Sequence, residues 1–96
     1  KGEQSDDTLS GDGGSDKLYG GTGNDTLYGG TGVDELYGEI GDDLLLGGAD
    51  NNTLKGGDGA DILKGESGDD TLSGGRGDDL IYGGDENSDS GNDTVD

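Results

Sequence analysis

Aspartate recurs at intervals of nine residues along most of this chain, in nearly every case after a glycine-rich stretch. The clearest copy is Gly20–Tyr37, where Gly-Gly-x-Gly-x-Asp-x-Leu-Tyr occurs twice in succession. Carboxylates and the carbonyls of a glycine-rich turn are the hard oxygen ligands that Ca²⁺ takes, about six to eight per ion. Mg²⁺ needs a tighter octahedron, and zinc or iron sites use His or Cys, which the chain lacks. The spacing therefore predicts calcium sites in the turns.

The nine-residue repeat runs through the whole chain, so internal repetition decides the fold. Ten repeats open on glycine at Gly2, Gly11, Gly20, Gly29, Gly38, Gly47, Gly56, Gly65, Gly74 and Gly83. The eighth position is always aliphatic: Leu9, Leu18, Leu27, Leu36, Leu45, Leu54, Leu63, Leu72, Ile81 and Val95. The last repeat carries an insertion near residues 86–90 before it returns to the pattern.

The composition is that of a chain that cannot fold on apolar burial alone. Only 23% of its residues are hydrophobic, 25 are glycine, and the formal charge is −19. Such a composition is typical of disorder, so a cation must be part of the folded state. The charge disfavours nucleic acids and anionic membranes as partners, and no apolar run is long enough to span a bilayer. We therefore expect no nucleic-acid binding and no direct membrane insertion.

The repeat length predicts an all-β fold. One aliphatic residue in nine is too few for an amphipathic helix, and the glycines would break one. A strand of about three residues followed by a turn of about six fits, with two repeats forming one coil of 18 residues. We expect a parallel β-roll, a solenoid of two sheets and about five coils, with Ca²⁺ in the turns. Residues 1–96 form one such segment, which we expect to be a fragment of a larger protein.

The strands of the odd-numbered repeats carry outward side chains that are more apolar than those of the even-numbered repeats. We call this surface the odd-repeat face; its apolar residues are Tyr28, Leu44, Leu46, Ile62, Leu80 and Tyr82. The first interpretation is that a neighbouring domain or segment of the parent protein covers it. A docking surface for a separate partner, as in a structural or adhesive extender, is the alternative.

The unit in Gly20–Tyr37 resembles the nonapeptide of the RTX (repeats-in-toxin) calcium-binding family, and the resemblance extends over essentially the whole chain. It implies a β-roll in a bacterial protein secreted by the type I pathway, where the module folds on Ca²⁺ outside the cell and stabilises its parent. Such parents include toxins, proteases, lipases, epimerases and adhesins. The paired carboxylates could suggest glycoside hydrolysis. They recur at every turn, however, so we expect no catalysis in this segment.

The resemblance also implies a ligand set. An ion takes the second- and fourth-position carbonyls and the aspartate of one turn, and the first- and third-position carbonyls and the aspartate of the turn two repeats later. Pairing repeats in this way gives up to about eight Ca²⁺ sites. The candidate ligand residues are Asp7, Asp12, Gly14, Asp16, Gly21, Gly23, Asp25, Gly29, Gly30, Thr31, Gly32, Asp34, Gly38, Ile40, Gly41, Asp43, Asn52, Gly56, Asp58, Gly59, Asp61, Gly65, Gly68, Asp70, Gly74, Arg76 and Asp79.

Two repeats depart from this pattern. In the sixth repeat Asn52 replaces the aspartate and Asp50 replaces the fourth-position glycine. Because an amide can ligate through its oxygen, we expect both sites that involve Asn52 to be weakened rather than lost. The insertion in the tenth repeat puts the site between Asp70 and Asp93 in doubt.

Overall fold

The protein folds into ten short β-strands in the part of the chain, residues 5–83 and 94–95, that the computed structural model describes. The strands are β1 (Thr8–Ser10), β2 (Lys17–Thr22), β3 (Thr26–Tyr28), β4 (Glu35–Ile40), β5 (Leu44–Leu46), β6 (Thr53–Asp58), β7 (Ile62–Lys64), β8 (Thr71–Arg76), β9 (Leu80–Tyr82) and β10 (Thr94–Val95). No helix long and apolar enough to cross a membrane occurs among these residues. The insertion near residues 86–90 lies outside the described residues.

The strands form two parallel sheets, which confirms the predicted β-roll. One sheet has the order β1-β3-β5-β7-β9 and the other β10-β8-β6-β4-β2. Every pairing among β1 to β9 joins residues 18 apart, as in Leu9 opposite Leu27 and Leu18 opposite Leu36. The register follows from the constant repeat length, because successive coils place equivalent residues directly above one another. Each sheet has five strands, and residues 5–83 make about four full turns of the roll.

The core is a double row of leucines between the sheets. Leu27, Leu36, Leu45, Leu54, Leu63 and Leu72 are fully buried, each from the eighth position of its repeat. In a strand the side chains alternate between faces, so a single aliphatic residue per strand points inward and its two neighbours point outward. The roll therefore has a core one side chain thick on each sheet.

The two kinds of strand differ in length, which the sequence analysis did not anticipate. Strands of the odd repeats have the expected three residues, whereas β2, β4, β6 and β8 have six. The longer strands continue into the next turn, where Gly21 lies opposite Glu39 and Thr22 opposite Ile40. The prediction of three-residue strands is wrong for the even repeats, because the first residues of the following turn still pair with the coil beside them.

The two outer surfaces also differ, as the sequence predicted. On the odd-repeat face Tyr28 is 40%, Ile62 38% and Leu80 49% exposed, whereas Leu44, Leu46 and Tyr82 are half-buried. On the opposite sheet the outward residues make polar and aromatic contacts along the stack. Tyr19 and Tyr37 stack with ring centroids 4.9 Å apart, and the Tyr37 hydroxyl donates a 2.6 Å hydrogen bond to Glu35.

Candidate metal centre

Each turn alternates between left-handed and ordinary backbone conformations. The second and fourth positions have positive φ from the second repeat to the ninth, and four of these positions are not glycine: Asp12 (φ 69°), Glu39 (78°), Asp50 (72°) and Glu66 (73°). Glycine reaches this region at no steric cost, and Asp tolerates it better than most residues. Asp50, which replaces a fourth-position glycine, therefore adopts the backbone conformation of that glycine.

This backbone directs the carbonyls of the second and fourth positions toward the next coil. The carbonyl oxygen of Asp12 contacts Gly30, that of Gly14 contacts Gly32, and that of Gly23 contacts Gly41. Each contact joins equivalent positions two repeats apart, so it lies between two turns stacked on the same edge of the roll. We call the space between two such turns a gap.

The carbonyls of the first and third positions point in the opposite direction, back toward the preceding coil. The Gly38 oxygen lies 2.8 Å from the point where a Cβ of Gly20 would stand. The third-position oxygen of Ile40 accepts a 3.1 Å hydrogen bond from the Gly23 amide. Carbonyls from both turns therefore face each gap.

The sixth-position aspartates divide their two oxygens between two gaps. Oδ1 accepts a backbone hydrogen bond from the sixth-position residue of the preceding coil, at 2.8 Å for Asp25 N–H to Asp43 and for Asp43 N–H to Asp61. Oδ2 is buried and accepts no hydrogen bond from any described residue in Asp16, Asp25, Asp34, Asp43 and Asp61. A buried carboxylate oxygen without a partner is costly, so each of these atoms needs a cation or a proton.

The first-position glycines show where that oxygen points. A Cβ at Gly20 would stand 2.6 Å from Oδ2 of Asp25 and 2.8 Å from the carbonyl oxygen of Gly38. The same arrangement recurs at Gly38, at 2.5 Å from Oδ2 of Asp43 and 2.7 Å from the carbonyl oxygen of Gly56. These glycines do not have positive φ; they are needed because a side chain would fill the gap in which a carboxylate and a carbonyl oxygen converge.

Burial also perturbs the protonation of these aspartates. Loss of solvent raises the pKa of Asp43 to about 6, opposed by its hydrogen bond from Asp25 and reinforced by nearby carboxylates. Burial likewise raises the pKa of Asp61 to about 6 and raises that of Asp34. Without a compensating positive charge, these carboxylates hold protons more tightly than an exposed aspartate does.

The donor set suits Ca²⁺ only if main-chain carbonyls complete it. No three acidic side chains converge on one point within residues 5–83 and 94–95. A gap instead offers one buried carboxylate oxygen together with carbonyls from two turns, which are the neutral and charged oxygens that Ca²⁺ combines. The residues therefore fit a calcium ion held between coils.

The structure places the predicted ligand residues in three groups. Forward-facing carbonyls belong to Asp12, Gly14, Gly23, Gly30, Gly41 and Gly59, and Gly21, Gly32 and Gly68 share their positive φ. Backward-facing carbonyls belong to Gly29, Gly38, Gly56, Gly65, Gly74, Ile40, Asp58 and Arg76. Thr31 shares the third position of the last three, and its amide donates a 2.7 Å hydrogen bond to the Asp12 oxygen. The sixth-position residues are Asp7, Asp16, Asp25, Asp34, Asp43, Asn52, Asp61, Asp70 and Asp79. Ion ligation by these residues stays a prediction.

Sequence reasoning missed a second ladder of side chains at the fifth position. Asp6 accepts a 2.8 Å hydrogen bond from the Asn24 amide, Asn24 one of 2.9 Å from Asp42, and Asp42 one of 2.9 Å from Ala60. The frequent Asp or Asn at the fifth position was the available signal. These exposed side chains join successive turns by hydrogen bonds.

A comparison with protein families supports the interpretation of the turns as calcium-binding sites. A family model described as an RTX calcium-binding nonapeptide repeat, in four copies, matches residues 1–36, 19–54 and 55–89. No curated protein matches the chain. The matched segments together cover most of the chain, which is enough to assign the chain to a family.

Proposed function

Because the chain belongs to the RTX calcium-binding nonapeptide-repeat family, and is therefore a calcium-binding repeat module, we propose that it binds its ions in the gaps between stacked turns and folds as it binds them. The observation that carries this proposal is the row of buried aspartate Oδ2 atoms beside carbonyl oxygens. The repeat is a structural calcium-binding unit and not a catalytic one.

In this proposal each ion joins two turns rather than sitting within one. In the gap above the turn of residues 20–25, Gly21 and Gly23 carbonyls and Asp25 would act with the carbonyls of Gly38 and Ile40. Support comes from the opposed directions of these carbonyls and from Asp25 Oδ2, which faces the following turn. The family pattern adds the Asp43 carboxylate to this set, and its Oδ1 reaches across the same gap, where it accepts the hydrogen bond of the Asp25 amide. A single coil holds only half of a ligand set.

Ion binding and folding are coupled because neither is favourable alone. A charge of −19 on 96 residues opposes the stacking of acidic turns. Divalent ions in the gaps would remove most of that charge and bind only the stacked form. Binding to the folded state alone stabilises it by mass action. The module would then stay unfolded where calcium is scarce and fold where it is plentiful.

Circular dichroism of the chain in EGTA and then in millimolar Ca²⁺ tests this coupling. We expect a disordered spectrum in EGTA and a β spectrum after Ca²⁺ is added, with Mg²⁺ at the same concentration as the control cation. A β spectrum that persists in EGTA, or one that Mg²⁺ restores equally well, would refute calcium-dependent folding.

The same coupling supports an extracellular role in a bacterial protein. A chain that folds only at high calcium would remain unfolded during export and would fold outside the cell, where it stabilises the parent protein. A reporter that contains this segment and carries a signal for type I export tests that role, with the amount of reporter in the medium as the measurement. Retention of the segment in the cell despite the export signal would count against it.

The apolar residues of the odd-repeat face favour a second role for the module, as a surface on which another part of the parent protein packs. Three of its apolar side chains, Tyr28, Ile62 and Leu80, are exposed in the described part of the chain. We propose that a neighbouring segment of the parent protein packs on this face. Replacing Leu44, Leu46 and Leu80 by serine in the longer protein should lower its Tm while the number of bound calcium ions stays the same. An unchanged Tm would argue against such a cover.

A further inference from the structure

The turn of the sixth repeat, residues 47–52, contains an amide in place of the buried carboxylate. Asn52 is only 2% exposed, and its Oδ1 accepts a 2.8 Å hydrogen bond from the Asp34 amide. That bond fixes the orientation of the side chain, because a backbone N–H requires the amide oxygen and not the nitrogen. Nδ2 must therefore face the gap on the other side, toward the turn of the eighth repeat, residues 65–70.

The Asn52 nitrogen occupies the place that Oδ2 has in the other repeats. A Cβ at Gly47 would stand 2.9 Å from Asn52 Nδ2 and 2.9 Å from the Gly65 oxygen. At Gly56 the corresponding atoms are Oδ2 of Asp61, at 2.5 Å, and the Gly74 oxygen, at 2.8 Å. A hydrogen-bond donor thus stands where Asp16, Asp25, Asp34, Asp43 and Asp61 have a buried acceptor without a hydrogen bond from any described residue.

The nitrogen also engages carbonyls of its own turn. Asn52 Nδ2 donates to the oxygen of Ala49 at 3.2 Å and to that of Asp50 at 3.3 Å. Asp50 is in the fourth position, whose carbonyl contacts the next coil at Gly68. An ion in this gap would lose a carboxylate oxygen, meet two N–H groups, and compete for a carbonyl that is already hydrogen-bonded.

The gap on the other side of the same turn is regular. Between residues 29–34 and 47–52, a Cβ at Gly29 would stand 2.8 Å from Oδ2 of Asp34 and 2.5 Å from the Gly47 oxygen. Asn52 contributes only its oxygen there, in the role that Oδ1 has elsewhere. The single substitution therefore affects the two adjacent gaps unequally.

We propose that the gap between the turns of residues 47–52 and 65–70 binds no calcium ion and is closed by the chain's own hydrogen bonds. This inference rests on the proposed calcium sites and adds that one edge of the roll carries an interrupted row of ions. The sequence predicts that both sites of Asn52 are weakened, whereas this proposal predicts that one is kept and one is lost.

The neighbouring side chains of this turn also bond it to the adjacent coils. Asp50 Oδ2 accepts a 2.9 Å hydrogen bond from the Gly32 amide in the preceding coil. Asn51 Oδ1 accepts one of 2.8 Å from the Asp69 amide in the following coil. Side-chain hydrogen bonds therefore tie the turn to both neighbouring coils.

Replacing Asn52 by Asp tests the proposal, because it restores the residue of the regular repeats. Bound calcium per chain is measured by equilibrium dialysis at saturating Ca²⁺ for the wild type, N52D and N51D. We expect N52D to bind one more ion than the wild type. The variant N51D adds the same charge next door on an exposed side chain, keeps an acceptor for the Asp69 amide, and should bind the wild-type number.

Equal calcium content in the wild type and N52D would overturn the inference, and so would an equal gain in N51D. A wild-type chain that binds no calcium would instead refute the proposed function itself. A second measurement needs no variant: in the calcium-saturated wild type, the side-chain NH₂ of Asn52 should exchange slowly with solvent in NMR spectra. Rapid exchange of that group would mean that the hydrogen bonds to Ala49 and Asp50 do not close the gap.

Discussion

The buried carboxylate of Asp43 offers a test in which the sign of the effect depends on calcium. Its Oδ2 is unpartnered among the described residues and points at the Gly56 oxygen of the following coil, while its Oδ1 holds the Asp25 amide at 2.8 Å. In Asp43→Asn, the amide oxygen must keep the bond to Asp25, so the new nitrogen faces the gap toward residues 56–61. The variant reproduces at this turn the arrangement that Asn52 has naturally.

Without calcium, Asp43→Asn should not destabilise the chain. Burial raises the pKa of Asp43 to about 6, so at pH 7.5 its carboxylate is ionised at a cost that is absent from the unfolded chain. A neutral amide removes that cost and one unit of negative charge. We therefore expect residual β structure in EGTA to be unchanged or slightly increased.

With calcium, the same variant should be clearly destabilised. An ion held at a free concentration 100 times its Kd stabilises the folded state by about 2.7 kcal/mol, and the variant loses that contribution at one gap. For a domain of this size each kcal/mol corresponds to about 4–8 °C in Tm. The Tm in saturating Ca²⁺ should therefore fall by roughly 10–20 °C.

Asp42→Asn is the matched control, since it removes the same charge from the neighbouring residue. Asp42 is exposed, and its Oδ1 accepts a 2.9 Å hydrogen bond from the Ala60 amide, which an asparagine oxygen can keep. The β signal in EGTA and the Tm in saturating Ca²⁺, both followed by circular dichroism, should show the reversal for Asp43→Asn alone. A variant that loses β signal in EGTA as well as Tm in Ca²⁺ would refute ligation and assign the residue a packing role.

Three further predictions concern the aspartate row, the core and the gap glycines. In EGTA the chain should gain β structure on acidification, because the raised pKa of Asp43 and of Asp61, each about 6, makes protonation favour the folded state. This stabilisation is complete below the ordinary pKa of 3.8 and is lost as pH rises through about 6; circular dichroism that does not change between pH 7.5 and 4 would contradict it. Leu45→Ala should lower the free energy of unfolding by about 2–5 kcal/mol, because the Leu45 side chain is fully buried. Leu80→Ala should lower it by much less, because the Leu80 side chain is half exposed. Equal losses of unfolding free energy in calorimetry would exclude a core made of one side chain per strand. Gly38→Ala should reduce calcium content by about one ion, because its Cβ would stand 2.5 Å from Asp43 Oδ2; an unchanged calcium content in dialysis would show that the gap has room for a methyl group.

The two-sheet architecture could be predicted because it depends only on repeat length and on one aliphatic position. A constant spacing of nine forces equivalent residues into register every two repeats, so Leu27, Leu45 and Leu63 had to stack. The apolar character of the odd-repeat face could be predicted from the same repeat positions, because side chains in a strand alternate between the two faces of the sheet. None of these expectations required knowledge of a side-chain conformation.

The different roles of the two carboxylate oxygens of each sixth-position aspartate could not be predicted in that way. The sequence identifies Asp25 and Asn52 as equivalent residues, but not which oxygen of Asp25 holds a backbone amide. The approach of the neighbouring coil decides which oxygen accepts that hydrogen bond. At Asn52 the bond holds the amide oxygen, so the amide nitrogen faces the gap on the other side. The first-position glycines are a similar case: their type suggested a turn requirement, whereas Gly20 and Gly38 are small because an oxygen pair lies beside them.

The shared use of each aspartate implies that ions along one edge of the roll depend on one another. Asp43 holds the coil before it through Oδ1 and faces the gap after it through Oδ2, so ordering one gap positions a ligand for the next. On the edge that contains Asp25, Asp43 and Asp61 this chain of dependence is unbroken in the described residues. On the other edge the hydrogen-bonded turn of Asn52 takes the place of an ion, so the dependence crosses that coil through protein bonds that calcium removal leaves intact. Stripping calcium should therefore release the first edge as a unit, while the coils on either side of the gap between residues 47–52 and 65–70 hold together longest. The Asn52 amide crosses that gap to Oδ1 of Asp70, so comparing its hydrogen exchange with that of the Asp25 amide, which crosses an ion-binding gap to Asp43, measures the difference.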